Sequence, residues 1–249
     1  MTATQPTAAL TAPVNLRDLG GLATADGRRT RSGVLYRGDV PLPGDVAPAH
    51  VAPWPPRVVV DLRSRFEAEG RTHPLAGPDT VVHHVPLLDQ PAQPQPEQPA
   101  PPSLRDLYLG LLERSGTDLA RAFRLVVAGV ADGAPGPVLV HCAAGKDRTG
   151  VVVALLLYAA GVRRDAIVAD YVRTDRNMPL VLRRLSGEPA TLPPGVDEDA
   201  VRQLVSAPAE AIEVVLTRLD EHPGGVHGWL CEHGVTRAEL TAWATRFLE

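Results

Sequence analysis

The only lysine of this 249-residue chain lies in the string His141-Cys142-Ala143-Ala144-Gly145-Lys146-Asp147-Arg148-Thr149-Gly150, and the other 24 basic residues are arginine. By itself the lysine carries little, since a lone residue falls in a given ten-residue window about one time in 25. Its company carries more. One of two cysteines precedes it and an arginine follows it, giving Cys-x5-Arg. The short apolar run Val138-Leu139-Val140 leads into the string, and the longer run Val151 to Ala160 leads out of it. A strand feeding a glycine-containing loop that opens a helix gathers unpaired N–H groups and the positive end of the helix dipole at one point. A tight loop there turns further amides inward and makes an anion nest. Positive potential at the base of such a nest favours the thiolate of Cys142, the form that attacks. Arg148 brings a planar fork that can hold two phosphoryl oxygens at once. The chemistry described is in-line attack of sulfur on phosphorus, with the oxygens held by Arg148 and by the loop amides of Ala143, Ala144 and Gly145.

Each neighbouring residue has a functional and a plainer reading. Lys146 adds a compact positive charge that can reach a substrate phosphate, or it is a solvated loop lysine. Asp147 is general acid to the leaving oxygen and then base to water, or it pairs with Lys146 or Arg148. His141 is expected to support the loop backbone. The Thr149 hydroxyl either donates to the thiolate or caps the helix. Cys231, in a helical stretch, is expected to be structural, and Arg63 and Glu67, four residues apart, to form a local ion pair. The histidines, His83-His84 among them, show no metal-ligand spacing, so neither a metal nor another cofactor is expected. A nucleotide-binding G-x4-G-K-[ST] loop is excluded, because position 140 is valine and Lys146 is followed by Asp147.

These residues need a strand behind them and a helix ahead. Val34-Leu35-Tyr36, Arg57 to Leu62, Val81 to Val85 and Pro137 to His141 read as short buried strands. Gly20-Gly21 and Asp26-Gly27 read as turns, with a hairpin around the latter. Pro41 to Pro56 holds six prolines and reads as a connecting loop around a short helical turn. Pro91 to Pro102 holds six more, a low-complexity surface insertion over 89–103. It is preferred to a domain linker because the strands before it lack a complete sheet without the strand after it. Thr117 suits the cap of a helix with Leu119, Phe123, Val126, Val127 and Val130 on one face. Arg148 to Ala160 reads as an apolar helix stopped by Gly161, with two further helices at Asp165 to Arg176 and Met178 to Leu185. Ile212, Val215, Leu216 and Leu219 form one stripe, and Thr236-x-x-Glu239 is the capping box of a last helix. The expectation is an α/β fold in one domain over 14–249, a central sheet flanked by helices with a helical C-terminal part, behind a disordered tail at 1–13.

Composition narrows the setting. Apolar residues at 44% and charged residues at 22% are ordinary for a soluble globular chain. A net charge of −4 supplies no global basic field for nucleic acid or an anionic membrane, so any anion site must be local. Two distant cysteines make no disulfide framework and suit a reducing compartment. Residues 1–13 lack the basic and apolar segments of a secretory signal, and the ten-residue run Val151 to Ala160 is too short to span a bilayer. A cytoplasmic protein without an integral membrane segment is expected, with signal-less secretion left open.

The string from His141 to Gly150 resembles the Cys-x5-Arg signature loop of the protein tyrosine phosphatase superfamily. In its full form it is more narrowly similar to bacterial tyrosine phosphatases with lipid-phosphatase-like loops. Asn15-Leu16-Arg17-Asp18-Leu19-Gly20-Gly21, Leu35-Tyr36-Arg37-Gly38, Val60-Asp61-Leu62-Arg63-Ser64 and Ala169-Asp170-Tyr171 agree, so the resemblance runs over roughly residues 14–248. It implies a phosphatase fold and metal-free hydrolysis through a cysteinyl-phosphate. The implied partners are phosphorylated protein or phosphoinositide: phosphotyrosine first, with phosphoserine, phosphothreonine and phosphoinositides as further substrates that Lys146 would help admit. One departure stands out. Many tyrosine phosphatases carry the general acid on a Trp-Pro-Asp loop, whereas this sequence has Trp54-Pro55-Pro56. Asp147 ranks first for that role, Asp61 next, and Asp89 is the third candidate. Without an acid, the same loop would serve a binding module that holds phosphate and does not turn it over.

Overall fold

The computed structural model describes residues 10–89, 103–131, 136–186 and 206–249. Of the expected tail at 1–13, residues 1–9 lie outside this range, and so do 90–102 of the proline-rich segment.

Five strands form one sheet: β1 (Arg17–Asp18), β2 (Leu35–Gly38), β3 (Val58–Asp61), β4 (Val81–His84) and β5 (Val138–His141), in the order β1-β2-β5-β3-β4. β1 runs antiparallel to β2, and all other pairs are parallel. Strand side chains alternate between two faces. Leu35, Val58, Val60, Val138 and Val140 enter the main core, while Tyr36, Val59 and Leu139 enter a smaller one completed by Leu16, Val51 and Trp54. The proline-rich stretch 41–56 is thus the cover of the second face. It runs there in turns, and the short helical turn expected within it is absent.

The main core is roofed by helices. α1 (Arg65–Ala68) is a single turn closed by a capping box in which Ser64 and Glu67 bond reciprocally. α2 (Leu104–Arg114) is capped by Ser103, and α3 (Gly116–Gly129) begins one residue before the expected Thr117 cap. α4 (Asp147–Ala159) is apolar on all sides and buried, as such a pattern demands. α5 (Arg164–Ser186) replaces the two helices expected at 165–176 and 178–185, running on through Pro179. Burial of Met178, Val181 and Arg184 on one face outweighs the hydrogen bond that the proline cannot make. α6 (Ala209–Asp220), α7 (Gly225–Glu232) and α8 (Arg237–Phe247) complete the C-terminal part. Trp243 on α8 donates from Nε1 to Leu156 O at 2.8 Å, stacks on Phe247 and meets Phe123 edge-on, which ties α8 to α3 and α4. Truncation of Phe123 to alanine here removes about 3–5 kcal/mol. Among the described residues no helix is long and apolar enough to cross a membrane.

Candidate active site

His141 at the end of β5 is in register with Gly38 of β2 and Asp61 of β3, so the chain leaves the sheet at its carboxyl edge between two parallel neighbours. Open α/β sheets bind ligands at such edges. In a planar trans peptide the C=O of one residue and the N–H of the next point in opposite directions. Four consecutive carbonyls of the following loop are held from outside. Cys142 O accepts from His141 Nδ1 (2.9 Å), Ala143 O from Val40 N (2.9 Å) and Ala144 O from Asn15 Nδ2 (3.0 Å). Gly145 O accepts from Arg37 Nη2 (2.8 Å) and Asn15 Nδ2 (3.3 Å). The N–H groups of Ala143, Ala144, Gly145 and Lys146 are therefore turned inward. Those of Ala143, Ala144 and Gly145 meet no acceptor among the described residues. α4 starts from Lys146 with no side-chain cap, so its first-turn donors open on the same space. Gly145 has φ of +70°, and a Cβ there would stand 2.3 Å from Gly38 O; both its conformation and its contact with β2 require glycine. Cys142 lies buried at the base.

The floor is ionic and buried. Asp170 on α5 accepts from Arg17 Nε (2.6 Å) and Arg37 Nη1 (2.7 Å), all three side chains being buried. Two guanidinium groups share one carboxylate. Burial, and then the Arg37 charge, lowers Arg17 to about 10, still cationic at neutral pH. Burial works to raise the Asp170 pKa, but Arg37 and Arg17 hold it below the ordinary carboxylate range. Asn15 links this cluster to the loop: its Oδ1 accepts from Arg17 Nη1 (2.7 Å) and Asn177 Nδ2 (3.0 Å), and its backbone N donates to Asp39 Oδ1 (2.8 Å). Asp39 is held in turn by Arg184 Nε at 3.1 Å.

The rim is more open. Arg148 forms a two-pronged pair with Glu67 of α1, with Nη2 to Oε1 at 2.8 Å. Burial works to raise the Glu67 pKa, and the Arg148 hydrogen bonds and charge override it, to about 2. Asp147 Oδ1 accepts from Tyr108 Oη of α2 (2.8 Å) and lies 3.5 Å from Lys146 Nζ. Tyr108 Oη also meets Tyr171 Oη of α5 at 2.7 Å. Oδ2 of Asp147 takes part in none of these bonds. Lys146 Nζ donates to Ser206 O at 3.2 Å, and the side chain is buried, contrary to a solvated loop lysine. The buried Thr149 hydroxyl has no hydrogen-bond partner among the described residues, and it neither caps α4 nor bonds Cys142.

The other two acid candidates are engaged elsewhere. Asp61 is gripped by Arg63, with Nη2 to Oδ2 at 2.6 Å and Nε to Oδ1 at 3.0 Å. Burial works to raise its pKa, but His141 and then the Arg63 bonds bring it to about 2, which unsuits it to carry a proton. Asp89 accepts from Arg65 N at 2.6 Å and anchors the start of α1. The expected Arg63–Glu67 pair is replaced by Arg63–Asp61 and Arg148–Glu67. Among the described residues one trio has metal-like spacing: Asp61, His73 and His141 each place a ligand atom within 4.8 Å of the others. Its atoms are already used. His73 Nε2 contacts His141 Nε2 at 3.0 Å, His73 Nδ1 accepts from Leu75 N at 3.2 Å, and both Asp61 oxygens face Arg63. Cys231 on α7 packs against the main core.

Sequence reasoning places the loop residues together but misses Asn15, Arg37, Glu67, Tyr108 and Asp170 as its supports. Asn15, Arg37 and Asp170 lie in strings that carry the resemblance; Glu67 and Tyr108 carry no signal of their own, because each meets its partner only through the tertiary fold.

Comparison with known proteins identifies the family. The sequence pattern of the tyrosine phosphatase family matches residues 8–249. A triple specificity protein phosphatase PtpB from Mycobacterium tuberculosis is 32% identical over 271 aligned positions, covering 91% of this chain and 93% of the relative. A putative tyrosine-protein phosphatase from Cupriavidus necator is 33% identical, covering 87% and 80%. A tyrosine-protein phosphatase from Nostoc commune is 31% identical over 56% of this chain and 47% of its own length. This chain is a protein phosphatase, and it belongs to the tyrosine phosphatase family.

Proposed function

We propose that the protein hydrolyses phosphotyrosine monoesters through a cysteinyl-phosphate, with Cys142 as nucleophile. The observation that carries the reading is the set of four loop carbonyls held outward, which leaves inward amides above Cys142. The Cys142 thiolate attacks phosphorus in line while Arg148 and the loop amides hold the three non-bridging oxygens. The bond from phosphorus to the ester oxygen breaks, and that oxygen takes a proton from Asp147. Oδ1 is occupied by Tyr108, so Oδ2 is the proton-bearing oxygen. Water then attacks phosphorus, Asp147 receives its proton, the S–P bond breaks, and phosphate leaves with the thiolate restored. Arg148 must exchange Glu67 for substrate, and the neutrality of that exchange, one anion for another, favours it.

A relative named for triple specificity supports a range wider than phosphotyrosine, and we extend the proposal to phosphoserine, phosphothreonine and phosphoinositides. Lys146 is the residue on which a second substrate phosphate would draw. No observation favours a binding module without turnover. The test is phosphate release from p-nitrophenyl phosphate in EDTA, with acid-quench trapping of labelled enzyme. Turnover that survives EDTA, a trapped phosphate on the wild type and neither on Cys142→Ser are expected. Turnover retained by Cys142→Ser would overturn the mechanism. Lys146→Ala should reduce phosphoinositide turnover more than aryl phosphate turnover; equal losses would remove the lipid reading.

A further inference from the structure

The histidine behind the nucleophile has a partner from another part of the chain. His141 and His73 are both buried, with ring centroids 5.1 Å apart. Their hydrogen bonds can be assigned without choice. A carbonyl oxygen only accepts, so His141 Nδ1, 2.9 Å from Cys142 O, carries a hydrogen. In a neutral ring Nε2 is then an acceptor. His73 Nε2, 3.0 Å away, must donate to it. His73 Nδ1 must accept, and the N–H of Leu75 is there at 3.2 Å to donate. The line from Leu75 N through both rings to Cys142 O closes with every donor matched to an acceptor. It does so for one tautomer of each ring and only when both are neutral. Burial keeps them so: it lowers His73 to about 4 and also lowers His141.

A competing arrangement lies close by. Asp61 Oδ1 is 3.9 Å from His141 Nε2. Were His141 to carry its hydrogen on Nε2, it could turn it to Asp61, and Nδ1 would set a lone pair against the Cys142 carbonyl. That carbonyl would swing away, and by peptide planarity the Ala143 N–H would leave the nest. A donor at position 73 opposes this change. The charged groups facing the pair are Asp61 at the end of β3, Arg63 after it, and Arg148 of α4 with Glu67 of α1.

We propose that His73 is a positioning residue for the phosphatase reaction: by donating to His141 Nε2 it fixes the His141 tautomer, and so holds the Cys142–Ala143 peptide with its N–H aimed at the thiolate and the incoming phosphoryl group. The inference rests on the reading of Cys142 as nucleophile. His73 touches neither substrate nor sulfur and acts through His141.

The experiment follows iodoacetamide alkylation of Cys142 against pH in a Cys231→Ser background, together with the kcat/KM profile on p-nitrophenyl phosphate. In His73→Phe the donor is gone and the ring volume kept. The alkylation midpoint and the acid limb should both move up by about one pH unit, as loss of one hydrogen bond to a thiolate implies. In His73→Gln, whose side-chain amide can donate as Nε2 does, both should return towards wild type. A His73→Phe profile superimposed on wild type, or His73→Gln as displaced as His73→Phe, would overturn the proposal. Nitrogen NMR of the wild type decides even where His73→Phe does not fold. The hydrogen of His141 must be on Nδ1, and its presence on Nε2 overturns the proposal outright. Failure of the Cys142 reading is separable, since then wild-type turnover itself would survive Cys142→Ser.

Discussion

The floor and the rim of the site are built on opposite plans. Beneath the loop, Arg17, Arg37, Asp170 and Asn15 are buried, and their main contacts point at one another or at loop carbonyls. At the rim, Arg148 pairs with Glu67 and Lys146 lies beside Asp147, and the proposed reaction requires these pairs to part. A buried ion cluster loses several kcal/mol when one member is removed, because the charges left behind cannot reach water. The rim carboxylates keep more exposure, 32% for Glu67 and 29% for Asp147, so removing one of them costs less. The floor thus fixes where the backbone dipoles point, and under the proposed mechanism the rim supplies the groups that change partner or protonation.

The comparison breaks most readily at the floor. Asp170→Ala strands Arg17 and Arg37 together, and urea unfolding should show a loss of about 3–5 kcal/mol. A loss below 1 kcal/mol would mean that the floor is not the rigid part. Next, Asp147→Asn should leave stability nearly unchanged and reduce kcat by about 10²–10⁴-fold on alkyl phosphates, and less on p-nitrophenyl phosphate, whose leaving group needs little protonation. Equal losses on both would deny Asp147 the acid role. Glu67→Gln should change less. It keeps a capping side chain on α1 but weakens the hold on Arg148, so inhibition by inorganic phosphate should tighten several-fold, by about 1 kcal/mol. The mildest perturbation is pH. His73 and His141 have folded pKa values below the usual 6.5, so the unfolded chain binds protons that the native rings refuse. Stability should fall as pH drops from 6.5 towards 4. It should fall further from about 4.5 towards 2, as the depressed carboxylates of Glu67 and Asp61 are protonated. A flat profile from 7 to 4 would show that the two rings are not kept neutral.

How much of this was legible in the sequence follows from the range of each interaction. Strand, loop and helix around Cys142 are contiguous, and their roles come from local rules: an apolar run, a glycine, a helix start. The four strands assigned from their apolar runs appear within two residues of the expected ends, because period-two burial is also local. The candidates for the acid are less legible. Asp147, Asp61 and Asp89 are alike in sequence, and only their partners distinguish them: Tyr108 from 39 residues away for Asp147, Arg63 two residues on for Asp61, and Arg65 for Asp89. The continuity of α5 is hidden in the sequence because Pro179 is a strong local breaker, and the burial that overrides it is tertiary. α2 is hidden because it adjoins the proline-rich stretch, whose composition masks the Ser103 cap.

The outward-held carbonyls have one more consequence. A cup of backbone amides set before any ligand arrives reads geometry and charge, and it is indifferent to what lies beyond the fourth oxygen. Tetrahedral oxyanions of similar size, such as vanadate or sulfate, are expected to compete for it on equal terms of shape. Discrimination between one phosphomonoester and another then has to come from the surface outside the cup, which α1, α2 and the segment at Ser206 border through Glu67, Tyr108 and Ser206.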